Sequence, residues 1–264
     1  RTDVPSLTSL GLPDDLSALV TQRSGLVLVT GPTGSGKSTT LVALVGYLNH
    51  NRARHVITLE DPIEFLHEPD RCLVHQREIG RHAPSFASGL RAALREAPDV
   101  IVVGELRDAE TIAIALTAAE TGHLVLGTLH TTSATKTIDR VIDALPVEQR
   151  EQTKSFLSSS LIAVVTQVLV KTAEARGRRA VLEVMVMTRA IAKLIQMDQT
   201  FQIPSQLQTG KDLGSQLLDQ ALLAGLASRE LDPEDAVGYA SEKRLFQKYI
   251  ADTSMLPKLE TAAG

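Results

Sequence analysis

Cysteine occurs once in 264 residues, at Cys72. Neither a disulfide framework nor a cysteine-rich zinc site can be built from it, and a reducing compartment is the expectation. Long apolar runs are also missing. No stretch approaches the roughly 18 residues that a membrane span needs. Arg1 to Pro5 carry no apolar signal-peptide core, so the sequence predicts a cytoplasmic protein, peripheral at most to a membrane, with no integral membrane segment. Charge of one sign is not in excess: 27 Lys and Arg against 31 Asp and Glu leave a net −4. That balance supplies no field for gripping a polyanion, and no nucleic-acid partner is expected. There is no internal repeat and no low-complexity run. The first residue is Arg1 rather than methionine, which reads as a fragment or processed product.

What is present is ordinary for a globular chain. Hydrophobic residues make up 43% and charged residues 22%, which excludes disorder, collagen and coiled-coil arrays. At roughly 150 residues per domain the length gives one large domain or one and a half. Short β-branched runs alternate with amphipathic stretches through the first two hundred residues, the pattern of an α/β fold on a mainly parallel sheet. Strands are predicted at Leu26 to Thr30, His55 to Leu59, Cys72 to Gln76, Val100 to Val103 and Leu124 to Leu129. Helices are predicted at Ser38 to Leu48, Phe86 to Glu96, Ala109 to Thr121 and Lys136 to Leu145, the third stopped by Gly122 and the last by Pro146. Gln167 to Thr172 and Arg179 to Met187 read as a hairpin finishing one edge of the sheet. The β signal then disappears, and Ala190 to Met197, Ser215 to Gly225 and Pro233 to Ala240 read as short helices. The expected organisation is a core over residues 1–187, a C-terminal helical appendage over 188–252 and a frayed tail over 253–264.

Gly31-Pro32-Thr33-Gly34-Ser35-Gly36-Lys37-Ser38 fits the pattern G-x-x-x-x-G-K-[ST], between an apolar strand and a helix as the mechanism requires. Glycines let successive backbone N–H groups turn inward onto phosphates, and the helix start adds the positive end of its dipole. Lys37 supplies a mobile charge to the β- and γ-phosphates, and the Ser38 hydroxyl can take a Mg²⁺ position. The nucleotide-binding set is therefore Gly31 through Thr39, with ATP and Mg²⁺ as the implied ligands.

Asp99-Val100-Ile101-Val102-Val103-Gly104-Glu105 is an apolar strand ending in an acid, the form of a Walker B element, with Glu105 as the metal-facing carboxylate. Gly104 stands where many such motifs carry Asp. Thr58 to Glu64 brings three acids together after a strand, a cluster able to orient or deprotonate an attacking water. Pro62 stops that strand and turns the acids. His123 and His130 bracket the strand Leu124 to Leu129, with Thr128, Thr131 and Thr132 near its end, where polar groups can sense a γ-phosphate. Two histidines without further ligands argue against zinc. Arg91 and Arg95, one helical turn apart, and Arg107 beside Glu105 are candidates for stabilising charge on the γ-phosphate. For the first two, surface ion pairing is the competing reading.

These four motifs, in order and suitably separated, resemble the type II/IV secretion ATPase superfamily. They are the phosphate loop, Thr58 to Glu64, Asp99 to Asp108 (D-V-I-V-V-G-E-L-R-D) and Thr121 to Ser133 (T-G-H-L-V-L-G-T-L-H-T-T-S). Ala190 to Met197 is similar to the A-I-R-N-L-I-R-E segment of the pilus-retraction branch, with departures that include Lys193, Gln196 and Met197. No four-cysteine zinc insert of the assembly and secretion branches is present. The resemblance covers roughly Gly11 to Ala240. It implies a RecA-like P-loop NTPase core and Mg-dependent ATP hydrolysis, with Glu64 activating water, Glu105 as Walker B acid, and His123 and His130 as the His-box pair. It also implies a homo-hexameric ring at the inner face of the bacterial inner membrane, acting on a pilus platform protein to retract type IV pili. The rivals are an assembly or secretion ATPase of the same superfamily, a RecA-like nucleic-acid translocase, and a nucleotide-dependent switch that binds a partner without sustained turnover. Members of the family carry an N-terminal PAS-like domain of about a hundred residues, so the expectation here is a motor core alone.

Overall fold

The computed structural model of the chain describes residues 3–174 and 176–250. The strands are β1 (Gly25–Thr30), β2 (His55–Glu60), β3 (Leu73–Glu78), β4 (Val100–Val103), β5 (Leu124–Leu129), β6 (Leu161–Lys171) and β7 (Arg178–Val186). The helices of the amino-terminal half are α1 (Ser17–Val20), α2 (Lys37–Asn51), α3 (Phe86–Ala93) and α4 (Ala109–Glu120). They are followed by α5 (Ala134–Ala144), α6 (Arg150–Ser160), α7 (Arg189–Gln196), α8 (Ile203–Thr209), α9 (Leu218–Ala227) and α10 (Pro233–Tyr239). The strands form one sheet in the order β3-β2-β4-β5-β1-β6-β7. All neighbours are parallel except β6 and β7, which form the antiparallel pair at one edge. This is the expected α/β architecture with C-terminal helices.

The central strands read as continuous apolar runs because both faces of the sheet are covered. Along β1, Leu26 and Leu28 face a core shared with α3 to α8. Val27 and Val29 face a second core built with α2 and the segment Leu7 to Val20. Ile191, Ile195, Ile203 and Leu207, which lie after the last strand, belong to the first of these cores. Helices α9 and α10 form a smaller cluster around Leu222 and Phe246 against the ends of β6 and β7. Helix starts are set by side-chain caps: Ser85, Asp108, Ser133, Thr188 and Asp232 each accept from a backbone N–H of the first turn.

Three differences from the sequence reading have physical causes. Helix α3 ends at Ala93 rather than Glu96, because Arg95 N and Glu96 N donate three residues back, to Ala92 O (3.1 Å) and Ala93 O (3.0 Å), tightening the last turn out of α-helical spacing. Helix α6, R-E-Q-T-K-S-F-L-S-S-S, has little apolar periodicity and was not expected; it buries Thr153, Lys154 and Leu157. Strand β6 starts six residues earlier than predicted, directly after Ser160. The tail predicted at 253–264 lies outside the described residues. Among the described residues no helix is long and apolar enough to cross a membrane.

Candidate active site

Because β1, β2, β4 and β5 run parallel, their carboxyl ends, at Thr30, Glu60, Val103 and Leu129, share one edge of the sheet. The motifs follow those ends. The chain leaves β1 through 31–36 and enters α2 at Lys37. At Gly36 the backbone is left-handed, with φ +88°. At Gly31 a side chain would bring its Cβ to 2.2 Å from the Gln167 carbonyl oxygen. The Lys37 side chain is buried under the loop, its Nζ donating to the carbonyls of Gly31 (2.9 Å) and Pro32 (3.0 Å) and lying 3.5 Å from His130 Nδ1. Burial lowers the Lys37 ammonium below its usual range, against the opposing pull of Glu105. Ser35 Oγ is buried with no hydrogen-bond partner.

Glu105 sits just past β4 on a short, pinned turn. Gly104 N donates to Leu59 O at 2.8 Å, Leu106 N to Thr128 O at 3.0 Å, and Thr128 Oγ1 to Gly104 O at 2.5 Å. A Cβ at position 104 would stand 2.9 Å from Leu59 O, which accounts for glycine where an acid is common. One Glu105 oxygen meets Arg107 Nη2 at 2.7 Å and the other His130 Nε2 at 3.0 Å. Burial alone would raise the Glu105 carboxyl, but Arg107 and His130 together hold it below the usual carboxylate range. A lysine ammonium only donates and a carboxylate only accepts, so His130 is assigned as the neutral tautomer with its proton on Nε2, bridging Glu105 and Lys37. Thr33 Oγ1 is also 3.5 Å from its Nδ1.

The three acids at the end of β2 stay close, Glu60, Asp61 and Glu64 lining one small pocket beside Ser38. Glu60 is held to β3, accepting from Thr58 Oγ1 at 2.5 Å and Gln76 Nε2 at 3.0 Å, and burial raises its carboxyl. Asp61 and Glu64 line an open cleft of about 500 Å³ together with Thr33, Lys37, Ser38, Thr39, Glu105 and His130. The loop that carries them is fastened to β3: Ile63 N donates to Glu78 Oε2 (3.1 Å) and His67 N to Gln76 Oε1 (2.9 Å), while Gln76 Nε2 donates to Phe65 O (2.8 Å).

Not every residue singled out in the sequence comes to this cleft. His123 precedes β5 at the opposite end of the strand, roughly 20 Å from His130 at about 3.3 Å per residue; its Nδ1 contacts Ala118 O at 3.1 Å. Arg91 is exposed and paired with Glu110. Arg95 is exposed and lies beyond the end of α3, so the two arginines do not share a helical face. Of the three arginines only Arg107 is beside the cleft acids.

Gln167 was missed. It is 3% exposed on β6, donating through Nε2 to Ser35 O (2.6 Å) and accepting at Oε1 from Thr40 Oγ1 (2.7 Å). It therefore clamps the phosphate loop to the first turns of α2. The signal for it is a lone amide inside an apolar strand, which a core position tolerates only with partners.

The family described as "Type II/IV secretion system protein" matches residues 8–231. The chain is 53% identical over 237 residues to the type IV pilus retraction ATPase PilT of Pseudomonas aeruginosa, covering 88% of this chain and 69% of that protein. It is 50% identical over 233 residues to a twitching motility protein of Neisseria gonorrhoeae, covering 88% of this chain and 62% of that one. The solved structure of the pilus retraction motor PilT with bound ADP superposes with a TM-score of 0.87 at 42% identity, over 94% of this chain and 70% of the other. The chain thus spans about two thirds of the length of these relatives.

Proposed function

The chain belongs to the type II/IV secretion ATPase family, in its PilT-like branch of pilus-retraction and twitching-motility ATPases, and from that premise we propose that it is the ATP-hydrolysing core of a type IV pilus retraction motor. The observation that carries the reading is the convergence of Lys37, Ser38, Glu64, Glu105 and His130 on one open cleft at the carboxyl edge of the sheet. That is where an open α/β sheet receives its ligand.

ATP binds with its phosphates against the backbone N–H groups of 31–37. Lys37, which now donates to the Gly31 and Pro32 carbonyls, turns to the β- and γ-oxygens. The exposed Ser38 hydroxyl and the ionised Glu105 are hard oxygen donors of the kind Mg²⁺ prefers. The buried, unpartnered Ser35 Oγ is a further polar group beside the phosphates. When bound, Mg²⁺ neutralises charge on the β- and γ-phosphates. Glu64 orients a water and takes its proton as the water oxygen bonds to the γ-phosphorus. The bond from that phosphorus to the β-bridging oxygen breaks, leaving ADP and phosphate. His130, hydrogen-bonded to Glu105, reads the γ-phosphate, and Arg107 offsets the charge that develops there.

The mechanical half rests on the family resemblance alone. The chain works as a homo-hexameric ring in the cytoplasm, at the inner face of the bacterial inner membrane. The sheet core, with α7 and α8 packed into it, turns against its neighbours on hydrolysis, and the cluster of α9 and α10 hands that motion to a platform protein that withdraws pilin.

The test is a count of surface pili on cells whose full-length copy carries Lys37→Ala. Abundant pili that do not retract are expected. Bald cells would refute retraction in favour of assembly.

A further inference from the structure

Away from the cleft, Glu183 is buried on β7, 8% exposed. Its carboxylate is satisfied by backbone amides from two separate helices. One oxygen accepts from Ala134 N, the first residue of α5, at 2.8 Å; the other from Leu218 N, the first residue of α9, at 3.5 Å. Amides at a helix start have no partner inside the helix and favour a negative charge. Burying a carboxylate is costly unless it is bonded on both oxygens, and at this position an apolar side chain would pack but tie nothing together.

What Glu183 ties together is specific. Helix α5 begins four residues after His130, at the end of the loop that faces the phosphate site. Helix α9 begins the C-terminal cluster, and its second residue, the buried Asp219, accepts from Ser241 N (2.9 Å) and Glu242 N (2.8 Å) just past α10. In the sheet, Glu183 stands opposite Thr166, whose hydroxyl meets that of Thr30 at 2.8 Å immediately before the phosphate loop. The segment leading into α9 is laddered to the same strand through Val184 and Gln216. A series of buried and part-buried bonds therefore runs from the start of α5, where the His130 loop ends, through Glu183 to α9 and the residues just past α10.

We infer that Glu183 is a positioning residue: it fixes the loop that carries His130 and transmits a change at the phosphate site to the C-terminal helices through the start of α9. The inference rests on the ATPase reading above, since the change transmitted is the arrival or loss of a γ-phosphate.

The experiment is amide hydrogen exchange on the chain with and without Mg²⁺ and a non-hydrolysable ATP analogue, in wild type and Glu183→Gln. In wild type the analogue slows exchange at least about threefold in both 130–137 and 216–242. Gln keeps the shape but only one acceptor oxygen, so it holds Ala134 N and turns an N–H against Leu218 N. In that variant protection of 130–137 persists and protection of 216–242 is lost. KM for ATP stays within about twofold while kcat per active site, with sites counted by titration with the analogue, falls about tenfold; loss of fold alone lowers the number of sites and leaves kcat per site unchanged. Glu183→Asp, charged but one methylene shorter, gives the same pattern and serves if Gln does not fold. Wild-type analogue binding without protection across 216–242, or protection there surviving in Glu183→Gln, overturns the inference alone. A wild-type chain that does not bind the analogue overturns the ATPase reading and this inference with it.

Discussion

Replacing Gln167 by Leu removes the clamp beneath the phosphate loop while keeping a buried side chain of similar size. Two groups then lose their partner, the Ser35 carbonyl and the Thr40 hydroxyl. Each orphaned buried group costs about 1–3 kcal/mol, so the pair is bounded at about 2–6 kcal/mol. Thr40 can turn its hydroxyl to the Gly36 carbonyl one helical turn back, which leaves one orphaned group and an expected loss of about 1–3 kcal/mol. Where the loop relaxes locally, that loss appears as weaker nucleotide binding of about 5- to 150-fold; where the native loop is kept, it appears in the unfolding free energy. The assay is therefore paired: urea unfolding without nucleotide, and titration with a fluorescent ADP analogue. Gln167→Glu should be worse, because it replaces the donor facing Ser35 O with a second acceptor. Thr40→Val alone and combined with Gln167→Leu completes a double-mutant cycle, with a coupling of about 1 kcal/mol expected. A Gln167→Leu protein with the wild-type urea midpoint and wild-type ADP affinity refutes the clamp.

Glu64→Gln should leave ATP affinity within about twofold and lower turnover about 10²- to 10⁴-fold, the range of a lost general base; unchanged turnover moves the role of base to another acid. His130→Ala should weaken the response to the γ-phosphate, measured as the ratio of ATP-analogue to ADP affinity. His123→Ala, remote from the cleft within the chain, should leave that ratio in an isolated subunit unchanged, and equal effects of the two substitutions contradict the placement. His67 is held neutral by burial, its imidazole lowered to about 4 with Nδ1 buried and unpartnered. The folded value lies below the unfolded one, so stability from this group is complete above about pH 6.5 and falls as pH drops toward 4, by at most about 3 kcal/mol. His67→Leu should flatten that part of the stability curve, followed by urea midpoints between pH 7.5 and 4; an unaltered slope assigns the acid limb to other groups.

Much of the nucleotide cleft was legible along the chain because its parts are local. The phosphate loop needs consecutive residues between a strand and a helix, and the Walker B acid needs a buried strand whose end it occupies. Glu105 and Lys37 could be named from those rules. Gln167 and Glu183 could not, since each acts on backbone far away in sequence: Gln167 on Ser35 and Glu183 on Ala134 and Leu218. The same limit explains the histidines. Placing His123 and His130 at the two ends of one strand is a statement the sequence makes, but that only His130 reaches the cleft within this chain depends on which end of β5 lies beside the phosphate loop. Helix α6 stayed hidden for a different reason, its serine- and charge-rich sequence lacking the apolar period that marks a helix.

The sequence by itself determined the parallel α/β class, the strand that delivers the phosphate loop and most of the residues that line the cleft beyond it, because strand and helix periods and the loop's glycines are properties of neighbouring residues. Only the tertiary structure decided how Glu60 is held by β3 while Asp61 and Glu64 line the larger cleft, which arginine reaches that cleft, and which buried side chains fasten it to the C-terminal helices. Those outcomes depend on strand order and on the pairing of buried polar groups across the sheet. The desolvation cost of an unpaired group selects among them only once distant segments have been brought together.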